Sequence, residues 1–205
     1  MKMPDNDKRT YFNGLAAEWD NLPGMEDASR KVRRFIKLSA AGAPARILDI
    51  GCGTGILLGP LLEELPGAEC VVEVDFALDM LRANARKVAD GRVQRLCADA
   101  LRLPVPSGSF DLVLCFGILP HLEDGRAALT EFLRVLKPGG ALSVGHLAGS
   151  RELNSFHGSL SGPVSSDVLP RSDELARALG AARAVRIRAE EDPGWYFVRA
   201  EKPAC

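Results

Sequence analysis

The chain has 205 residues, of which 46% are hydrophobic and 26% are charged, and its formal net charge is -1. This composition excludes a disordered or fibrous protein and provides enough apolar side chains for one domain with a substantial core. Because basic and acidic residues are interspersed along the chain, neither nucleic acid nor an anionic membrane is the expected partner.

The five cysteines show neither CxxC pairs nor the spacing of a zinc site. Cysteines in apolar runs behave as small hydrophobic residues when they are reduced, which indicates a reducing cytoplasm. The N-terminal residues lack the apolar core of a signal peptide, and no run approaches the roughly 20 apolar residues of a membrane span. We therefore expect a cytoplasmic protein without a membrane span, either a monomer or a homodimer.

Residues 1–42 are predicted to be a helical cap, because Tyr11, Phe12 and Trp19 recur at roughly helical spacing. From residue 45 onward, short apolar runs alternate with amphipathic segments. The predicted strands are ARILDI, CVVEV, RVQRLCA, FDLVLCF and ALSVGHL, and the predicted helices cover residues 56–65, 77–89 and 124–137. Strands that are apolar on both faces are typical of a parallel sheet with helices on both sides.

The C-terminal third is predicted to contain a substrate lid and a final pair of strands. Pro138-Gly139-Gly140 predicts a turn between a helix and a strand. The segment 148–171 is rich in Ser, Gly and Pro, yet SRELNSFHGSL within it has helical spacing, so we expect a lid with a short helix. After a helix at Ser172–Leu179, RAVRIRAE and GWYFVRAE flank a turn signal at 192–194, which predicts an antiparallel pair.

A glycine loop follows the first strand directly. Asp49-Ile50-Gly51-Cys52-Gly53-Thr54-Gly55 leads into a helix, so bare backbone can approach a ligand beside the positive helix end. Asp75 ends the second strand, 20 residues past Gly55, where nucleotide-binding folds place the carboxylate that binds ribose. Glu73 could share that role. Ile56 occupies the last glycine position of a dinucleotide loop, which argues against NAD.

Four segments in order resemble the motifs of class I S-adenosylmethionine-dependent methyltransferases. They are ILDIGCGTG (47–55), VVEVDFALDML (71–81), CADALRLPVPSGSFDLVLCF (97–116) and LRVLKPGGALSV (133–144). The chain is most similar to the small ubiquinone and menaquinone C-methyltransferases, whose acceptors vary. This resemblance implies that residues 43–205 form a Rossmann-like α/β domain, in which a mostly parallel seven-stranded sheet has the strand order 3-2-1-4-5-7-6. It also implies S-adenosylmethionine as cofactor, S-adenosylhomocysteine as product and a small-molecule methyl acceptor.

The resemblance also assigns cofactor contacts residue by residue. Asp49, Gly51 and Gly53 would line the methionine portion, Asp75 the ribose, Asp99 and the Ala100 backbone the adenine, and Phe116 with Gly117 the methyl group. The N-terminal aromatic residues Tyr11 and Trp19 would cover the cofactor. The remaining predicted contacts are Cys52, Phe76 and Met80. Alternatives stay open, since Asp49 and Asp99 could be structural, and Met80, Tyr11 and Trp19 could be core residues.

A base is required only if the acceptor loses a proton, and His121 and His146 are the candidates. They follow the fourth strand and end the fifth strand, whose carboxyl ends should face the acceptor. His157 is expected to shape the lid. A metal site built from the three histidines and Glu152 is an alternative, although no metal is predicted.

Two other functions remain possible at this point. A non-catalytic sensor or partner subunit would keep the S-adenosylmethionine pocket without an acceptor site. An NAD-dependent oxidoreductase is disfavoured by Ile56 and by the absence of a hydride-site Tyr-Lys or Cys-His arrangement in the sequence.

Overall fold

The computed structural model describes residues 6–21, 28–40 and 42–204. The helices are α1 (Asn6–Leu15), α2 (Ala28–Ser39), α3 (Leu58–Glu64), α4 (Leu78–Lys87), α5 (Gly125–Val135), α6 (Ser150–Ser159) and α7 (Ser172–Ala181). The strands are β1 (Arg46–Ile50), β2 (Cys70–Asp75), β3 (Val93–Cys97), β4 (Phe110–Phe116), β5 (Leu136–His146), β6 (Val185–Asp192) and β7 (Trp195–Glu201). Short 3-10 turns cover Trp19–Asn21 and Leu119–His121. In this part of the chain, no helix has the length and apolar character required to cross a membrane.

The strands form one seven-stranded sheet in the order β3-β2-β1-β4-β5-β7-β6, which confirms the predicted fold. Strands β1 to β5 pair in parallel, whereas β7 pairs antiparallel with both β5 and β6. The parallel strands all end at the same edge, and the chain order reverses between β1 and β4. Open α/β sheets bind ligands in the crevice that this reversal creates.

Each face of the sheet carries its own apolar core. On one face, α2 and α3 cover side chains such as Ile47, Val71 and Leu114. On the other face, α5 and α7 cover Leu48, Val113 and others. Adjacent residues of β1 therefore enter opposite cores, which is why these strands are apolar at every position and not at alternate positions.

The turn predicted at Pro138-Gly139-Gly140 lies within β5. Helix α5 ends at Val135 and β5 begins at Leu136, which pairs with Phe110 of β4. The register then shifts, and the next pair is Leu112 with Ala141. The Pro-Gly-Gly segment is therefore accommodated as an irregularity of a paired strand, because pairing resumes on both sides of it.

The predicted cap over residues 1–42 divides into two parts with different neighbours. Phe12 of α1 packs against Met80 and Ala77 at the start of α4. Helix α2 instead buries Phe35 and Ile36 against the sheet, together with α3. Its amphipathic pattern therefore belongs to the layer that covers the sheet, whereas α1 with the turn after it covers the ligand edge.

Gly145 of β5 provides a test of this packing. A Cβ atom at this position would lie 2.5 Å from the ring of Phe35 and 2.9 Å from Phe116. Both rings are buried, so Gly145→Ala should lower the free energy of unfolding by about 1–3 kcal/mol through overpacking. Urea denaturation measures this effect.

Gly59→Ala in α3 is the matched control, since nothing lies within 4 Å of the added methyl group. This substitution should be neutral or stabilising by about 0.4–1 kcal/mol. Equal stability of Gly145→Ala and the wild-type protein would contradict the close contact between β5 and α2.

Candidate functional site

A cavity of about 390 Å³ lies at the carboxyl edge of the sheet, between the glycine loop, the N-terminal helix and α6. Residues predicted from separate motifs meet here. The predicted cofactor contacts that line the cavity are Trp19, Gly51, Cys52, Gly53, Asp75, Phe76, Met80, Asp99, Ala100, Phe116 and Gly117. His121, His146 and His157 line it as well. Of the predicted contacts, Tyr11 and Asp49 do not appear among the lining residues.

The glycine loop is held against the end of β2 by its own backbone. The amide nitrogens of Gly51 and Cys52 donate to the carbonyl oxygen of Val74, at 2.7 and 3.0 Å. Gly51 has φ +67°, and a Cβ atom there would lie 2.2 Å from Ile118. At Gly53 the nearest atom to a Cβ would be Trp19 Nε1 at 3.9 Å, so the bare backbone of this residue lies next to the indole ring. The loop therefore presents bare backbone to the cavity.

Asp75 connects this loop to the start of α4. Its carboxylate oxygens accept hydrogen bonds from the Gly53 amide at 2.9 Å and from the Ala77 amide at 2.8 Å. Burial raises the pKa of Asp75, although these backbone donors oppose the shift. The side chain thus lines the cavity with two of its acceptor positions already used, and other lone pairs remain for a ligand hydroxyl.

Asp49 and Glu73 lie beneath the loop, inside the protein. They face each other across the parallel pairing of β1 and β2, and they are 1% and 0% exposed. Burial, followed by the charges of Glu73 and Asp75, raises the pKa of Asp49 well above its usual range. Burial also raises the pKa of Glu73 to about 7, even though Asn84 donates to it at 2.7 Å. Because Asp49 is a β1 residue within the sheet, its predicted contact with the methionine portion of the cofactor is not supported by this geometry.

Aromatic rings from the N-terminal segment cover the cavity. Phe12 is central here, since its ring lies 5.2–6.0 Å from those of Trp19, Phe76 and His121. Tyr11 contacts the outer side of this cluster, packing edge-on against Phe12 with ring centroids 5.4 Å apart. Motif matching found Trp19 but not Phe12, although Phe12 shares the helical spacing of the segment.

Asp20 attaches the turn after α1 to the rest of the site. Thr54 of the glycine loop donates to one Asp20 oxygen at 2.7 Å, and Lys87 of α4 lies 2.5 Å from the other. The aromatic cover is therefore tethered to the glycine loop and to α4.

Asp99 shows features of both predicted alternatives. Its side chain accepts a hydrogen bond from the amide of Leu101 at 2.9 Å, as a turn-capping residue does. Asp99 and Ala100 also line the cavity. The two roles are compatible, because a carboxylate has more acceptor positions than one amide uses.

The histidines differ in their hydrogen bonds. His121 Nδ1 lies 2.6 Å from Asp167, whereas His146 Nδ1 accepts from the amide of Ala148 at 3.3 Å. Burial lowers the pKa of His121, opposed by Asp167, and burial together with the other two histidines lowers that of His146 to about 3. No group of three or more His, Cys, Asp or Glu residues within the described ranges could hold a metal ion.

The lid segment is ordered by side chains that sequence reasoning did not identify. Glu191 at the end of β6 accepts from Ser150 at one end of the lid and from Ser172 at the other, at 2.8 and 2.7 Å. Asp167 in the middle of the lid contacts Lys8 of α1 as well as His121. No motif or periodic pattern includes Asp167, so only the folded chain reveals its position.

Comparisons with known proteins agree with this geometry. A family model described as a methyltransferase domain matches residues 48–144. The demethylmenaquinone methyltransferase of Thermus thermophilus is 50% identical over 140 residues, covering 65% of this chain and 62% of that protein. The ubiquinone/menaquinone biosynthesis C-methyltransferase UbiE of Syntrophotalea carbinolica is 37% identical over 175 residues, covering 82% of this chain and 72% of that protein.

The fold has close counterparts among solved structures. A SAM-dependent methyltransferase from Thermotoga maritima superposes with a TM-score of 0.74 and 20% sequence identity, over 94% of this chain and 99% of that chain. This likeness supports the architecture, whereas family membership rests on the sequence relatives. The match to the Thermus protein spans less than two thirds of its length.

Glu73 should make stability depend on pH in a predictable direction. Its folded-state pKa of about 7 exceeds the ordinary value of 4.5, so the folded protein holds a proton that the unfolded chain releases. The resulting stabilisation is complete below the unfolded value and is lost as pH rises through about 7. Relative to Glu73→Gln, the wild-type protein should therefore lose free energy of unfolding between about pH 5 and pH 8.

Urea denaturation across this pH range tests the effect. Glu63→Gln on the surface of α3 is the control, since the Glu63 side chain is 62% exposed, and it should retain the wild-type slope. Identical slopes for Glu73→Gln and wild type would show that Glu73 is already ionised at pH 5.

Proposed function

This chain belongs to the family of S-adenosylmethionine-dependent methyltransferases, and we propose that it transfers a methyl group to a small, apolar acceptor. The observation that carries the proposal is that the predicted site residues meet at one place in the fold. Residues predicted from three separate sequence segments (47–55, 71–81 and 97–116), and from the N-terminal aromatic region, line one cavity at the ligand edge of the sheet. Chance placement would scatter them over the surface.

The residues around the cavity fit S-adenosylmethionine in chemistry as well as position. We propose that the backbone of Gly51, Cys52 and Gly53 holds the methionine portion, and that Asp75 accepts hydrogen bonds from the ribose. Asp99 and Ala100 would hold the adenine ring, with Phe76, Met80 and Trp19 packing against the nucleoside. These assignments are supported by the bare backbone of the glycine loop and by the cavity-lining position of each residue.

When bound, S-adenosylmethionine supplies an activated methyl group on a sulfonium, so the protein's main task is alignment. Proximity and orientation can contribute roughly 7 to 11 kcal/mol to lowering a barrier. Phe116 and Gly117, which follow β4 into the cavity, would border the methyl group. The aromatic cover of Phe12 and Trp19 would exclude water from it.

The acceptor proposed here is an electron-rich aromatic ring of the quinol type. The acceptor half of the cavity is lined mainly by apolar side chains, including Ile118, Leu122, Leu147 and Leu153. Two relatives are named for methylation of demethylmenaquinone and of ubiquinone or menaquinone precursors. An apolar cavity of about 390 Å³ falls in the size range of small-molecule sites.

Of the two candidate bases, we favour His121. His146 accepts a hydrogen bond at Nδ1, so its proton lies on Nε2, and a pKa of about 3 makes it a weak base. His121 lines the cavity with its Nδ1 directed to a carboxylate. A cytoplasmic location, a monomeric or homodimeric state and independence from nucleic acid remain predictions from composition.

Asp75 provides the first test. Asp75→Ala should weaken S-adenosylhomocysteine binding about tenfold to a hundredfold, since a hydrogen bond to a charged group contributes about 1.5–3 kcal/mol. Isothermal titration calorimetry measures the affinity. Asp79→Ala is the matched control because Asp79 is an acid on α4 that pairs with Arg82 outside the cavity lining. Unchanged affinity of the Asp75 variant would reject its assignment to the ribose.

A panel of acceptors tests the reaction itself. The protein is incubated with radiolabelled S-adenosylmethionine and reduced demethylmenaquinone with a short side chain, a catechol, an amine or a thiol. We expect product from the quinol and no binding of NAD by calorimetry. Cofactor binding without turnover on any acceptor would support a non-catalytic role, and preference for the amine or thiol would overturn the assignment to a quinol.

A further inference from the structure

Three elements that are distant in the chain meet at Asp167. One carboxylate oxygen lies 2.5 Å from Lys8 Nζ on α1, and the other lies 2.6 Å from His121 Nδ1 after β4. Lys8 Nζ also donates to the carbonyl oxygen of His121 at 3.2 Å. Asp167 itself belongs to the lid between α6 and α7, and its side chain is only 7% exposed. The contact therefore joins the N-terminal cover, the lid and the candidate base.

The lid holds Asp167 in place from its own side. His157 Nδ1 lies 2.9 Å from the backbone carbonyl oxygen of Asp167, and a carbonyl can only accept, so His157 donates. Two residues farther on, the backbone of Leu169 exchanges hydrogen bonds with the side chain of Asn154, at 2.8 and 3.0 Å. The carboxylate thus projects from a braced segment, and the serines at the two ends of the lid are fixed by Glu191.

The hydrogen bond to Asp167 decides which nitrogen of His121 carries the proton. Burial would raise the pKa of Asp167, but the bonds from His121 and Lys8 outweigh this effect and hold it below its usual value. An ionised carboxylate only accepts, so Nδ1 of His121 must donate. In the neutral imidazole, Nε2 is then the acceptor, and no described residue forms a hydrogen bond with it. His121 lines the cavity, and its pKa is lowered by burial against the pull of Asp167.

We propose that Asp167 is a positioning residue for methyl transfer: held by Lys8, it fixes His121 in the Nδ1–H form so that Nε2 is the base for the acceptor. The proposal rests on the proposed function and adds to it a lid residue that touches neither cofactor nor acceptor. The acceptor proton passes to Nε2 while the acceptor atom bonds to the methyl carbon, and the electron pair of the broken bond stays on sulfur. The charge that forms on His121 is stabilised by Asp167.

This arrangement makes the orientation of the base dependent on contacts between separate segments. Asp167 reaches His121 because the lid lies against the turn after β4, and Lys8 reaches Asp167 because α1 covers the cavity. The charged or titratable groups that surround His121 are Lys8, Asp167, His146 and His157. Proton abstraction is therefore coupled to the same contacts that exclude water.

Nitrogen NMR of the protein labelled at histidine nitrogens, saturated with S-adenosylhomocysteine, tests the tautomer without any acceptor. Wild-type His121 should be a neutral Nδ1–H tautomer at pH 7. In Asp167→Asn the amide can donate to Nδ1, so Nε2–H should become populated. Asp173→Asn is the control, because the Asp173 side chain on α7 is 51% exposed. This variant should give the same spectrum as the wild-type protein. An Nε2–H tautomer in the wild-type protein would overturn the proposal even if no variant folds.

Kinetics with reduced demethylmenaquinone provide the second readout. His121→Gln should lower kcat by about 10²–10⁴-fold, and Asp167→Asn by about tenfold or more with the cofactor KM nearly unchanged. The acid limb of the kcat profile should move to lower pH in Asp167→Asn, since a charge that raises the pKa of His121 is removed. Adding Asp167→Asn to His121→Gln should cost less than about twofold further.

The outcomes separate this proposal from the proposed function. Full affinity for S-adenosylhomocysteine with an unshifted pH profile in Asp167→Asn would overturn the positioning role and leave the methyltransferase assignment intact. If Asp167→Asn lowered kcat by the same factor in the wild-type protein and in His121→Gln, Asp167 would act independently of His121, which also contradicts the proposal.

Discussion

The attachment of the glycine loop to the end of β2 is the constraint on which the site depends. Two amides of the loop bond to Val74, and the amide of Gly53 bonds to Asp75. The same carboxylate receives the amide of Ala77 and so fixes the first turn of α4. One side chain therefore sets the distance between the two halves of the cofactor crevice, and the three loop glycines allow this because each has a positive φ.

Three buried carboxyl groups lie close together at this junction. Asp49, Glu73 and Asp75 lie on one side of the sheet within adjacent strands. Burial raises the pKa of each of them, and the charges of Glu73 and Asp75 add to the shift at Asp49. Arg95 and Asn84 partly compensate, since Arg95 donates to Asn84, which in turn donates to Glu73. Such a cluster is costly in a protein interior, and its position directly beneath the loop links the stability of the fold to the ligand edge.

The side of the cavity around His121 is formed by three segments that are distant in the chain. The N-terminal helix contributes Phe12 and Lys8, the turn after β4 contributes His121, and the lid contributes Asp167 and Leu153. An ion pair of Asp20 with Lys87 binds the cover to α4, and an ion pair of Lys8 with Asp167 binds it to the lid. The glycine-loop side of the cavity is therefore built from the core of the fold, whereas the side around His121 is assembled from segments that are distant in the chain.

The sequence by itself determined the parts that are governed by short-range patterns. Short apolar runs predicted all seven strands and the helices between them, because local geometry requires those residue types at those positions. The glycine spacing and Asp75 predicted residues that line one cavity, and their contacts with the cofactor stay predictions. The turn predicted at Pro138-Gly139-Gly140 coincides with the irregularity between the Phe110–Leu136 and Leu112–Ala141 pairs. The spacing also assigned α2 to the cap, because an amphipathic helix that covers a sheet has the same spacing as one that covers a ligand.

Only the tertiary structure decided which side chains meet across long sequence separations. Asp49, which is predicted as a ligand contact, is 1% exposed because the register of β1 against β2 places it opposite Glu73. His121 and His146 are equivalent in sequence terms, and they are distinguished by partners 46 and 2 residues away. Asp167 and Lys8 carry no sequence signal at all, since an ion pair 159 residues apart is set by the packing of the lid against α1 and leaves no local periodicity.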